Sequence, residues 1–162
     1  MHNIKRLISK PEALLIVKFF LSRDAFTHKW APGEKDIVRK APFDSLVNFH
    51  HAYWYIEEGG KIIGAIGVRE NEYKSGGYEL ADDFFAVHIK FRRKGIGSLL
   101  FSEMEKYVKK NNGRYIHILS CDTDLYSPAR KFYEKMGYKK VLEIPDYYVI
   151  GEGRVDYYKK LS

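Results

Sequence analysis

The sequence predicts a single α/β domain, and three observations carry that expectation. The chain has 162 residues, the length of one domain, and its 45% apolar and 15% aromatic content can bury a sizeable core, which excludes global disorder. Runs rich in aromatic and β-branched residues alternate with stretches whose apolar positions recur every three to four residues. At Gly95 the apolar period changes from two to 3.6, so a strand feeds a helix through a glycine-bearing loop.

Ile4 to Ile8 reads as a first strand. Ser9-Lys10-Pro11-Glu12 then has the form of a capping box, with Pro11 tolerated in the first turn and Glu12 near the positive helix end, and the helix runs to about Arg23. Phe26 to Gly33, which holds Trp30 and Pro32, reads as a loop, followed by a helical pair from Glu34 to Lys40 and from Asp44 to His51. Tyr53 to Glu57 and Lys61 to Arg69 form two antiparallel strands closed by Glu58-Gly59-Gly60.

After the turn at Ser75-Gly76-Gly77, Tyr78 to His88 reads as one long strand. Ile96, Leu99, Leu100, Met104, Tyr107 and Val108 lie on one helical face, ended by Asn111-Asn112-Gly113. Tyr115 to Leu119 is a strand, Pro128 to Met136 a short helix, and Tyr138 to Ile144 and Val155 to Leu161 two final strands.

Composition removes several function classes. Cys121 is the single cysteine, so there is neither an internal disulfide nor a Cys-rich zinc site. The apolar run Ala13 to Val17 is interrupted by Lys18 and is too short for a membrane span or a signal-peptide core, so a soluble cytoplasmic protein with no membrane partner is expected. His28, His50, His51, His88 and His117 lack ligand spacing, and no metal is expected. The net charge of +7 invites a nucleic-acid reading, yet Lys and Arg are spread through every segment with no zinc-finger or RNP-like motif. Excess positive charge equally attracts an anionic small molecule.

Arg92-Arg93-Lys94-Gly95-Ile96-Gly97 gives that charge a focus. Unpaired amides at a helix start point outward, the helix dipole adds partial positive charge, and three basic side chains at one spot suit a diphosphate. No Gly-Lys-Ser/Thr follows as a Walker loop requires, and Leu100 stands where a dinucleotide fingerprint needs glycine.

Val87-His88-Ile89-Lys90-Phe91-Arg92-Arg93-Lys94-Gly95-Ile96-Gly97-Ser98-Leu99-Leu100 resembles the acetyl-CoA signature of the Gcn5-related N-acetyltransferases (GNAT), whose core is Arg/Gln-x-x-Gly-x-Gly/Ala. Ser127-Pro128-Ala129-Arg130-Lys131-Phe132-Tyr133-Glu134-Lys135-Met136-Gly137-Tyr138 is similar to the family's second block, and the two are spaced by one helix and one strand. The resemblance covers residues 60–161, with residues 1–55 matching by element order as acceptor-side helices.

The resemblance implies a mixed, mostly antiparallel sheet of about six or seven strands, flanked by about four helices and splayed after the fourth strand. It implies acetyl-CoA as co-substrate, its pantetheine arm pairing with backbone near Val87, His88 and Ile89 and its pyrophosphate on amides from Arg93 to Ser98, within a segment from Arg92 to Leu100. Ile89 stands where many members carry proline, and Tyr126 where many carry a cofactor-binding asparagine.

Tyr133 occupies the place of the tyrosine that protonates the departing thiolate, and a phenol can donate at neutral pH. On periodicity alone Phe132 and Tyr133 read equally as core aromatics. A carboxylate, directly or through water, must take the amine's proton. Glu79 and Asp83 lead the candidates over Asp82, Asp122 and Asp124, and adjacent strand residues such as Asp82 and Asp83 face opposite ways. Cys121 invites an acyl-enzyme reading, against the fold's usual direct attack. Phe26, Trp30, Tyr147 and Tyr148 read either as acceptor-pocket walls or as core cover.

The expected activity is acetyl transfer from acetyl-CoA to a primary amine in a ternary complex, with the oxyanion held by backbone amide near Val87. An acyl-CoA-binding sensor is the alternative. Family dimers and the terminal strands leave a homodimer open.

Overall fold

Strand β1 (Ile4–Arg6) pairs antiparallel with β2 (His51–Glu58), and β2 turns tightly into its antiparallel neighbour β3 (Lys61–Glu70). The computed structural model describes residues 2–81 and 83–162, so Asp82, one of the carboxylates considered above, lies outside the described residues. β4 (Gly77–Leu80) joins β3 on one side and, in parallel, β6 (Tyr115–Cys121) on the other. β8 (Glu152–Lys160) follows β6, and β7 (Lys139–Val149) closes the edge, giving the order β1-β2-β3-β4-β6-β8-β7. β5 (Phe85–Val87) pairs with β3 alone.

That arrangement opens the sheet. β4 and β6 stay in register from Gly77 opposite Tyr115 to Leu80 opposite Ile118. Beyond that point β5 follows β3 while the end of β6 follows β8, and the two arms separate. The eight-stranded mixed sheet splayed after its fourth strand, with four α-helices, is the architecture the resemblance implies, with one strand more than the range.

Helices α1 (Lys10–Phe20), α2 (Glu34–Asp44), α3 (Ile96–Lys110) and α4 (Ser127–Lys135) complete the fold. α3 buries Ile96, Leu100, Phe101, Met104 and Val108 along one stripe. Each such side chain contributes about 1.5–3 kcal/mol in transfer free energy, which fixes α3 to the sheet and its first turn beside β5. Among the described residues no helix is long and apolar enough to cross a membrane.

Several expectations are corrected. The long strand from Tyr78 to His88 is two short ones, because Asp83 adopts a left-handed backbone (φ 61°), a conformation aspartate tolerates and a continuous strand does not. Phe84 nevertheless keeps its carbonyl on the Gly67 amide at 2.7 Å, so the chain rejoins β3 after the break. The helical pair from Glu34 to His51 is one helix through Pro42, ended by turns in which the Ser45 hydroxyl and the Asn48 amide donate to the Pro42 and Asp44 carbonyls.

α1 stops at Phe20, where the Ser22 hydroxyl donates to the Phe19 carbonyl. Its capping box is shifted, with Glu12 accepting from the Ser9 hydroxyl and from the Ile8 amide. β7 continues to Val149, which carries Tyr147 and Tyr148 into the sheet.

Candidate active site

The opening between β5 and β6 is a cavity of about 610 Å³, closed at one end by the start of α3 and along one side by α4. Its first wall is β5 and the residues before it, Leu80, Ala81, Asp83, Phe85, Ala86 and Val87. Leu119 and Ser120 form the opposite wall, and Pro128, Ala129, Phe132 and Tyr133 of α4 a third.

The basic loop turns sharply into α3. Arg93 and Gly95 both take positive φ, 61° and 83°, and Gly95 caps the helix. The first helical bond runs from the Leu99 amide to the Gly95 carbonyl at 3.1 Å, so the amides of Ile96, Gly97 and Ser98 precede the intrahelical ladder where these residues line the cavity. The side chains of Arg93, Lys131 and Lys135 stand at the same mouth, and together with the helix dipole they make it strongly electropositive. Lys131 and Lys135 were not singled out from sequence, although their spacing of four on a helix puts them on one face.

Arg92 also lines the mouth, yet its guanidinium is engaged by the backbone, with Nε donating to the Val87 carbonyl at 3.0 Å and an η-nitrogen to the Ala25 carbonyl at 2.8 Å. Of the strand residues expected to meet the pantetheine arm, Val87 is on the wall. The His88 and Ile89 amides donate to the Ile63 and Asp24 carbonyls, each at 2.8 Å. Since the Phe84 carbonyl and the His88 amide both face β3, alternation along the strand turns the Phe85 and Val87 amides toward the gap. Lys94 lies over the Phe91 ring, Leu99 is largely exposed, and Leu100 is buried in the core; none of the three is on the wall.

Tyr133 is buried at 6% exposure and packs on Phe101 and Tyr157, so its ring is held by the core while it lines the cavity. Phe132 stacks on Phe85 across the cavity end. Ser120 is also on the wall, and its buried hydroxyl has no hydrogen-bond partner among the described residues. Sequence reading passed over Ser120, since a serine inside an apolar strand carries no signal of its own.

The two favoured carboxylates separate. Glu79 lies away from the cavity wall in an ion pair with Arg69, Oε1 to Nε 2.9 Å. Asp83 is on the wall with its side chain 2% exposed. Around it the fold assembles groups from two distant segments, His28 with Glu34 and Tyr126. His28 Nε2 is 3.0 Å from Glu34 Oε2 and 3.8 Å from Asp83 Oδ1, while the Tyr126 hydroxyl is 2.9 Å from His28 Nδ1 and 3.5 Å from Asp83 Oδ1.

Burial opposes charge on Glu34, but hydrogen bonds with the His28 and Asp83 side chains and from the Ala31 amide outweigh it and hold its carboxyl at about 2. Ligand-type atoms of His28, Glu34 and Asp83 come within 4.8 Å of one another, a convergence that the separation of these residues in sequence concealed.

The aromatic candidates divide as well. Phe26 lines the cavity, and Trp30 backs it, packed 6.0 Å from Phe26 and 4.5 Å from the His28 ring. Tyr147 lies under Arg154 and the Tyr148 hydroxyl donates to the Ser120 carbonyl, both away from the cavity wall. Cys121 is buried with its thiol toward Thr123, the Asp122 carboxylate accepts from the Gly153 amide, and Asp124 is exposed at the start of a short turn; none lines the cavity.

This geometry has counterparts among known proteins. Over 100% of both chains the fold superposes on a GNAT-family protein from Desulfovibrio desulfuricans with a TM-score of 0.85 at 21% identity. It also matches an aminoglycoside 6'-N-acetyltransferase solved with coenzyme A, with a TM-score of 0.73 and 18% identity over 98% of this chain and 96% of that one. In sequence it is 26% identical to N-alpha-acetyltransferase 60 of Xenopus tropicalis, over 87% of this chain and 67% of the relative. The model of the acetyltransferase (GNAT) family matches residues 19–138. With that match spanning the splayed strands, the basic loop and the tyrosine helix, the chain belongs to the GNAT acetyltransferase family.

Proposed function

We propose that the protein transfers an acetyl group from acetyl-CoA to a primary amine by direct attack in a ternary complex. The observation that carries this reading is the single cavity in which the free amides of α3, a basic mouth and the Tyr133 ring meet Asp83 and His28. The solved coenzyme A complex of the aminoglycoside 6'-N-acetyltransferase, a protein of the same fold, supports the cofactor.

In this reading the amides of Ile96, Gly97 and Ser98 with Arg93, Lys131 and Lys135 hold the pyrophosphate, and the outward Phe85 and Val87 amides meet the pantetheine arm and the developing oxyanion. Tyr133 donates its proton to the departing thiolate. The acceptor enters between the N-terminal segment of residues 1–55 and the core of residues 60–161, over Phe26, and loses its proton at the Asp83 end of the cavity.

Isothermal titration with acetyl-CoA and a thiol-release assay across an amine panel test it. The expected result is binding, turnover of at least one amine, and a fall in kcat of about 10²-fold or more in Tyr133→Phe with binding retained. Binding without thiol release from any amine favours a sensor, and no binding overturns the reading.

A further inference from the structure

We infer that Tyr126, His28 and Glu34 form the proton relay that deprotonates the acceptor amine, an assignment that rests on the acetyl-transfer reading above. Glu34 is half-buried beside His28 and keeps its negative charge, because the imidazole meets Oε2 at 3.0 Å and the Ala31 amide donates to Oε1 at 2.8 Å. A charged carboxylate only accepts hydrogen bonds, so Nε2 of His28 must carry a proton. In the neutral imidazole Nδ1 is therefore bare, and the Tyr126 hydroxyl, 2.9 Å away, donates to it.

A second acceptor near that hydroxyl, Asp83 Oδ1, is farther at 3.5 Å. Asp83 also engages Glu34, so its carboxyl is drawn toward that side chain as well as toward the hydroxyl. Trp30 and Phe26 pack on the His28 ring and fix its orientation. Tyr126 and His28 both line the cavity, and Glu34 stands behind them.

The transfer balances as follows. As the acceptor nitrogen bonds to the thioester carbon, one N–H bond breaks and its proton passes to the Tyr126 oxygen, whose own proton moves to His28 Nδ1. The imidazolium formed lies between Glu34 and Asp83, at 3.0 and 3.8 Å. The C–S bond breaks and sulfur takes the Tyr133 proton, and solvent then resets both groups. Tyr126 is the catalytic residue of the relay because it meets the amine, while His28 and Glu34 act through it.

Three measurements on the full chain test the relay. Nitrogen-15 NMR of the imidazole should report the Nε2–H tautomer for His28, its preference weakened in Glu34→Ala, which removes the acceptor; an Nδ1–H tautomer in the wild type overturns the relay whether or not an acceptor has been found. His28→Ala should lower kcat by about 10²-fold or more with little change in KM or in acetyl-CoA binding, and added imidazole should restore part of it. Tyr126→Phe should show the same loss in kcat without imidazole rescue.

A wild-type kcat in both variants, with acetyl-CoA bound and amines acetylated, sinks the relay and leaves the proposed reaction standing. A wild type that neither binds acetyl-CoA nor releases thiol sinks the reaction itself, and the tautomer reading then stands alone as a structural fact. One equivalent of zinc that perturbs the His28 resonance and raises activity assigns the cluster to a metal and overturns the relay.

Discussion

The Arg92 guanidinium donates to the Ala25 carbonyl at 2.8 Å, tying the loop that opens α3 to the chain leaving α1. A second bond from Nε reaches the Val87 carbonyl at 3.0 Å, so one side chain fixes the mouth, the strand and the loop after α1 together. Lysine has the charge but not the planar fork that serves two carbonyls at once. Arg92→Lys should therefore resemble Arg92→Ala, each losing about 1–2 kcal/mol in urea denaturation and weakening acetyl-CoA. Full retention of acetyl-CoA affinity in Arg92→Lys alone would show that charge is what the position supplies.

Gly97 and Gly95 are two residues apart and should fail differently. A Cβ at Gly97 would sit 3.2 Å from Phe85 and 3.3 Å from Phe132, at the ring pair that closes the cavity. Gly97→Ala should fold normally but lose about tenfold in acetyl-CoA affinity, or 1.4 kcal/mol, and Gly97→Trp should lose binding altogether. At Gly95 a Cβ meets nothing within 4 Å, but the residue has φ +83°. Gly95→Ala should cost about 1–2 kcal/mol of stability with a smaller effect on affinity. Paired calorimetry and melting curves separate the two.

The anion site was legible because its parts are contiguous: a strand, two glycines, three basic residues and a change of period fall within one stretch of chain. The cluster around Asp83 was not, because Tyr126 meets His28 across 98 residues of sequence and Asp83 across 43, and only the opening of the sheet brings them together. Strand parity gave no sound guide to Glu79 and Asp83, since the left-handed backbone at Asp83 resets which way the following residues face. Tyr147 and Tyr148 read as pocket walls or core cover beyond the end of a strand at Ile144, yet β7 absorbs Pro145 at an irregularity between Ile144 and Val149 on the sheet's outer edge, where a missing amide costs little.

Glu105 is the polar anchor beneath α3. It accepts from the Tyr138 hydroxyl at 2.9 Å and from Lys159 Nζ at 3.0 and 3.2 Å, and burial with the adjacent Glu105 charge pushes the Tyr138 phenol well up, keeping it a donor. Glu105→Leu leaves the Tyr138 hydroxyl without its acceptor and Lys159 with the Met136 carbonyl alone, and should cost about 2–3 kcal/mol. Glu105→Gln keeps an acceptor for Tyr138 and should cost about half that. Urea titrations of the two variants give the comparison, and equal losses would mean that the carboxylate charge, not the hydrogen bond to Tyr138, is what stabilises the helix.

His51 supplies a pH-dependent part of stability distinct from the carboxylates. Its ring lies parallel to Phe84 at 6.2 Å, Nε2 has no hydrogen-bond partner among the described residues, and burial, reinforced by the Arg69 charge, lowers the imidazole to about 4. An unfolded histidine takes up its proton near pH 6.5, so between 6.5 and 4 the unfolded chain binds more protons than the folded one. Stability from this residue is complete above pH 6.5 and falls as pH drops toward 4, by about 2–3 kcal/mol. Glu12, Glu70 and Asp156, all held low by hydrogen bonds, act in the same direction but at lower pH. Their effect cancels when wild type is compared with His51→Phe, so the stability difference between the two proteins should bend between pH 6.5 and 4 in urea denaturation. A difference that stays flat across that range would show that His51 is protonated in the folded protein.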